Sequence, residues 1–72
     1  MLPTYSRVEL VSDEYQREGA VRGMLGYVIE VYPGRKYEVE FSAPDGTTIA
    51  QIVASEDDLR LSPESPPRTS QG

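Results

Sequence analysis

The run Val21-Arg22-Gly23-Met24-Leu25-Gly26-Tyr27-Val28-Ile29-Glu30-Val31-Tyr32, then Pro33-Gly34-Arg35, then Lys36-Tyr37-Glu38-Val39-Glu40-Phe41, constrains this chain more than any other stretch. Two glycines lead into a β-branched run, a Pro-Gly turn breaks it, and an alternating segment follows. β-branched and aromatic residues suit a pleated, half-buried surface. Two such runs separated by a short glycine-containing turn read as a β-hairpin.

The register of that hairpin follows from its faces. In the second run Tyr37, Val39 and Phe41 share one side, and Lys36, Glu38 and Glu40 the other. A two-residue loop would set Ile29 against Glu38 and mix core with surface. A three-residue loop, Pro33-Gly34-Arg35, sets Val31 opposite Tyr37, Ile29 opposite Val39 and Tyr27 opposite Phe41, so the apolar faces match. Pro-Gly also suits a type II turn, which fits two-residue hairpins poorly. This register puts Glu30 directly opposite Glu38 on the outer side, with Glu40 next along. Like charges so placed repel.

The other elements are shorter. Arg7 to Val11 alternates as a first strand, and Ser12 to Gly19 is polar and irregular, a long loop. Gly23 and Gly26 bracket Met24-Leu25, where positive φ would let a tight turn open the second strand. Thr48 to Val53 reads as a fourth strand after the Pro44-Asp45-Gly46 turn. With Ala50 and Ile52 facing the core, Ile49, Gln51 and Val53 face outward. Ser55-Glu56-Asp57-Asp58 resembles a single helical turn capped by the Ser55 side chain. Leu59-Arg60-Leu61 closes the fold. The expected core is Val8, Leu10, Ile29, Val31, Val39, Phe41, Ala50, Ile52 and Leu59. These elements predict an all-β fold, a five-stranded SH3-like barrel over residues 1–61. Residues 62–72 are rich in Pro and Ser and are expected to form a disordered tail.

Composition narrows the chemistry. The 72 residues suffice for one domain and contain no cysteine and no histidine. A Ser-His-Asp triad, a Cys-His pair and a conventional zinc site are therefore excluded by inventory. No catalytic, cofactor-binding or metal-ligating residue is assigned, and no cofactor is expected. The formal net charge is -5, with a single lysine, so phosphate is repelled at long range and nucleic acid is not an expected partner. Met1 to Ser6 has neither the basic nor the apolar region of a secretory signal, and no apolar run approaches a membrane span. A soluble cytoplasmic protein is expected.

The ordered set Val8-Glu9-Leu10, Arg22 to Val31, Tyr37 to Phe41, Asp45-Gly46-Thr47 and Asp57-Asp58-Leu59-Arg60 resembles a family of small bacterial proteins catalogued as domain of unknown function 4926. The resemblance implies the SH3-like fold and a bacterial, soluble accessory protein, without an activity. Three other SH3-like groups share parts of the pattern. KOW domains, which bind nucleic acid, share the turn-strand Gly26 to Val31 but are basic. The small SH3-like subunit of photosystem I shares it too, but docks an acidic ferredoxin through basic residues that this chain lacks. The plasmid-type dihydrofolate reductase, a homo-oligomer, has a Val-Gln-Ile-Tyr strand where this chain has Ala50-Gln51-Ile52-Val53. Its cofactor-attracting basic residues are not evident here.

The expected role is a non-catalytic protein-interaction module, an accessory or antitoxin-like partner of a neighbouring protein. Two surfaces stand out. Glu30, Glu38 and Glu40 form an acidic face, read either as a solvated face that suppresses aggregation or as a docking surface for a basic protein partner. Ile49, Gln51 and Val53 are read either as ordinary surface scatter or as a contact between copies in a homo-oligomer.

Overall fold

A computed structural model describes residues 1–63. Five strands form one antiparallel sheet: β1 (Arg7–Leu10), β2 (Leu25–Tyr32), β3 (Lys36–Ser42), β4 (Thr48–Ser55) and β5 (Leu59–Leu61), in the order β4-β3-β2-β1-β5. Two single 3-10 turns, Gln16–Glu18 and Glu56–Asp58, interrupt the connections. The second turn dictates the shape. It is all that separates β4 at one sheet edge from β5 at the other, and three residues span at most ~10 Å. The two edges must therefore meet at that corner, so the sheet rolls up as the expected SH3-like barrel would. The fold is all-β. The disordered tail expected over residues 62–72 lies outside the described residues from residue 64 onward; before that, the Ser62 N–H still donates to the Arg7 carbonyl at 2.8 Å.

The core fills the inside of this roll with Val8, Leu10, Ala20, Val28, Tyr37, Val39, Phe41, Ala50, Ile52, Ala54 and Leu59. Seven of the nine expected core residues are among them. The hairpin register holds at the turn, where Val31 pairs with Tyr37 and Glu30 with Glu38. Beyond Glu30 a β-bulge intervenes, and Val28, not Ile29, pairs with Val39. One extra residue in β2 moves the following side chains to the opposite side. Val28 becomes fully buried, and Ile29 is only half-buried. Val31 is half-buried as well, packed against the core from its margin. Tyr27, expected opposite Phe41, instead faces out opposite Glu40. The Val28 backbone is anchored by the N-terminal segment: its N–H donates to the Ser6 carbonyl at 2.9 Å, and its carbonyl accepts from the Tyr5 N–H at 2.6 Å.

The bulge brings Gly26 opposite Phe41. Gly26 has no positive φ, unlike Gly23 at 96°. It is needed for close approach: a Cβ there would lie 2.6 Å from the Glu40 carbonyl oxygen and 2.7 Å from Phe41 Cδ1. The expected Ser55 cap is also corrected. Ser55 holds the N-cap position of the second 3-10 turn, but its side chain makes no capping hydrogen bond. The Glu56 N–H instead donates to the Arg35 carbonyl at 2.9 Å, so the β2–β3 turn does the capping.

Candidate functional site

Cross-strand pairing builds the outer face of β2, β3 and β4 row by row. Arg7 pairs with Tyr27, Tyr27 with Glu40, and Glu40 with Gln51; Glu30 pairs with Glu38 and Glu38 with Val53; Tyr32 pairs with Lys36. The three carboxylates expected on one face, Glu30, Glu38 and Glu40, are thus brought together on two adjacent strands. Two exposed tyrosines, Tyr27 and Tyr32, stand among them. Arg7 and Lys36 mark the two ends of the patch.

The like-charge pair is relieved from within the chain. The Tyr32 hydroxyl donates to Glu38 Oε1 at 2.5 Å, and the Gln51 amide donates to the other Glu38 oxygen. The Tyr32 hydroxyl, followed by the Gln51 amide, holds the Glu38 carboxyl below its usual range. The same bond raises the Tyr32 phenol, because removing its proton would set two negative groups against each other. Thr48 Oγ1 donates to Glu40 Oε2 at 2.6 Å. All of these donors are neutral, so Glu38 and Glu40 are oriented without their charge being cancelled. Elsewhere four of the acids meet arginines: Asp13 with Arg22, Glu9 with Arg60, and Glu56 and Asp57 with Arg35. None of the ion pairs among the described residues involves Glu30, Glu38 or Glu40.

Sequence reading placed the carboxylates but missed Tyr32 and Gln51 as their partners. A signal was available for Tyr32, which shares the outer side of β2 with Glu30 and lies diagonal to Glu38, within reach of a long side chain. Ile49, Gln51 and Val53 fall where expected, exposed on β4 at the sheet edge. Ile49 sits at a second register shift, between the Phe41–Ala50 and Ser42–Thr48 pairs.

A second feature lies at the β2–β3 turn. A cavity of about 470 Å³ is lined by Val31, Tyr32, Pro33, Arg35, Tyr37 and Glu56, among others. Gly34 takes φ 78°, as the second central position of a type II turn requires, and Arg35 follows in the left-handed region at φ 60°. Glu56 gathers the polar groups here. It accepts from the buried Tyr37 hydroxyl at 2.8 Å and from Arg35 Nε at 3.4 Å, and lies 3.6 Å from the N-terminal amine. The Tyr37 hydroxyl, with burial opposing it and Arg35 assisting, holds the Glu56 carboxyl low. The polar groups of this cavity thus satisfy one another. Among the described residues, no group of three or more acidic side chains could hold a metal ion, and no helix is long and apolar enough to cross a membrane.

A family model described as Domain of unknown function (DUF4926) matches residues 4–61, most of the chain and all five strands. The chain belongs to this family. The match begins in the N-terminal segment that anchors Val28 and ends with β5, so both the bulge and the acidic face lie within the family's fold. No curated protein and no solved structure matches the chain.

Proposed function

We propose that this family member is a non-catalytic module that docks a protein with a basic surface through the outer face of β2 and β3. One observation carries the reading: Glu38 and Glu40 are oriented by neutral donors, and among the described residues no cation pairs with either of them or with Glu30, while Glu9, Asp13, Glu56 and Asp57 are paired with arginines. Charge held in place and not neutralised attracts a complementary surface at long range and fixes its orientation on contact. Tyr27 and Tyr32 beside the carboxylates supply the amphipathic aromatic contacts common at protein interfaces. In this reading the chain is an accessory or antitoxin-like partner of the protein it binds. The test is capture from a lysate of the source organism at low salt, comparing wild type with the Glu30→Lys, Glu40→Lys double variant. A basic protein retained by wild type, lost by the variant and released by salt supports the reading. Equal capture by both overturns it and leaves the face a solubilising surface.

A further inference from the structure

We infer that β4 is a self-recognition strand: two copies of this chain pair antiparallel along their β4 edges about a two-fold axis at Gln51. The inference does not rest on the acidic-face reading, although Gln51, which donates to Glu38, takes part in both.

β4 is eight residues long and pairs only with β3, so one of its sides has no strand neighbour among the described residues. Edge strands are usually protected by charge, proline or shortness. Thr48-Ile49-Ala50-Gln51-Ile52-Val53-Ala54-Ser55 has no charged residue and no proline. Its one irregularity is the bulge at Ile49. The opposite edge is built otherwise: β5 has three residues and carries Arg60, bound to Glu9 at 2.6 Å. The loop before β2 flanks β4 on both sides of Gln51, with the Tyr15 hydroxyl 3.5 Å from the Ser55 nitrogen and Gly19 beside the Ile49 carbonyl and the Ala50 Cβ. Between them the side chains of Gln51 and Val53 stand exposed.

The outward side chains show which occupant fits. Ile49 and Val53 are 48% and 52% exposed, and they flank Gln51 symmetrically. Antiparallel pairing about Gln51 sets Ile49 of one copy against Val53 of the other, twice, and Gln51 against Gln51. Each apolar residue meets an apolar one and each amide meets an amide, which is the self-complementarity an isologous contact demands. The net charge of -5 works against association and is eased by salt. The strands that bear the nearest carboxylates, Glu38 and Glu40, stand three strand spacings apart, about 14 Å between backbones, but both side chains reach toward β4, where Glu38 accepts from Gln51 and Glu40 from Thr48, so their repulsion is screened at physiological salt and not removed. A contact made by one strand pair falls short of the area of a standard stable interface, so the association is weak and concentration-dependent.

Sedimentation equilibrium on the full chain from about 10 µM to about 1 mM tests this. The expected result is a mass rising from one chain toward two. Val53→Lys and Ile49→Glu, both at exposed positions, should each remain one chain across the range, with unchanged far-ultraviolet circular dichroism. Mixed in equal amounts they should recover association, because the two-fold sets the new lysine of one copy opposite the new glutamate of the other. A single-chain mass at every concentration overturns the proposal. So does a dimer indifferent to either variant, or one that both variants abolish and the mixture fails to restore. Glu30→Lys, which tests the acidic face, should leave the association in place, so failure of one reading is distinguishable from failure of the other.

Discussion

Replacing Gly26 with Ala tests the bulge that sets the architecture of β2. In ordinary circumstances Gly→Ala stabilises by about 0.4–1 kcal/mol, because it restricts the unfolded chain. Gly26 has no positive φ, so its backbone alone gives no reason for another outcome. Packing reverses the sign. The new Cβ would stand 2.6 Å from the Glu40 carbonyl oxygen, 2.7 Å from Phe41 Cδ1 and 3.0 Å from Phe41 Cε1, where ordinary contacts begin at 3.4 Å. The carbonyl is part of the β3 ladder and cannot rotate away. The Phe41 ring is fully buried and has no open space to enter. Overpacking of this kind costs about 1–3 kcal/mol. Set against the entropic gain, a net loss of about 1–2 kcal/mol remains. A chain of 72 residues has a total stability of about 4–11 kcal/mol. For a domain of this size the loss lowers Tm by roughly 4–16 °C. Thermal melts followed by circular dichroism, with urea titration as a second measure, read it directly. A variant that melts at or above wild type would refute the placement of Gly26 under Phe41, and with it the shift that turns Val28 inward.

Three further outcomes follow from the same packing. Phe41→Ala should cost about 3–5 kcal/mol in a urea titration, enough to leave the chain largely unfolded at 37 °C. Tyr37→Phe should cost about 1 kcal/mol near pH 7, because the Leu2 N–H loses its acceptor. It should also flatten the acid limb of stability. The Tyr37 hydroxyl holds the folded Glu56 carboxyl below its ordinary value of 4.5, so that contribution is present above pH 4.5, is lost as pH falls through the folded value, and disappears in the variant. Tyr15 titrates at the opposite end. Burial, then its hydrogen bond to Asp58 at 2.6 Å, pushes its phenol up from 10.0 to about 12. The stabilisation it supplies is complete below pH 10 and lost as pH rises toward about 12, and Tyr15→Phe should remove that part of the alkaline limb in melts taken across the range.

Much of this fold was legible because the chain obeys local rules on both sides of the β2–β3 turn. Val31 against Tyr37 and Glu30 against Glu38 follow from matching faces and the length of a Pro-Gly turn, and the structure has both pairs. The bulge was not legible in the same way. Val28 and Ile29 are adjacent, apolar and β-branched, so alternation cannot say which of them turns inward. The decision belongs to a non-local event, the seating of Phe41 on the bare α-carbon of Gly26 and the anchoring of Val28 by Tyr5 and Ser6. Gly26 drew attention for the wrong reason, as a turn residue, when its use is to admit an aromatic ring. The contact of Tyr37 with Glu56 spans nineteen residues. It exists only because the roll brings β3 to the second 3-10 turn, which no local pattern encodes. The acidic face was legible in its charges and not in its donors, since Tyr32 and Gln51 reach Glu38 from two different strands.

Those donors change what the acidic face means. Two glutamates directly opposite one another suggest repulsion that a basic partner would relieve. The structure supplies another relief, since Glu38 already accepts from Tyr32 and Gln51 and its carboxyl is held low by them. Repulsion alone is therefore no argument for a partner. The argument for docking rests instead on the sign of the donors. An arginine at position 51 or 32 would have oriented Glu38 equally well and cancelled its charge. Tyrosine and glutamine orient it and leave the charge standing. This also decides which residue probes the face cleanly. Glu38→Gln would disrupt two hydrogen bonds along with the charge, so a loss of binding there would be ambiguous. Glu30 faces the same solvent, and among the described residues it makes no hydrogen bond or ion pair. Exchanging it for lysine inverts the field of the patch, places an attractive charge opposite Glu38, and should slightly raise Tm while weakening capture of a basic protein. Stability and binding moving in opposite directions is the signature that separates a docking face from one whose carboxylates merely keep the chain in solution.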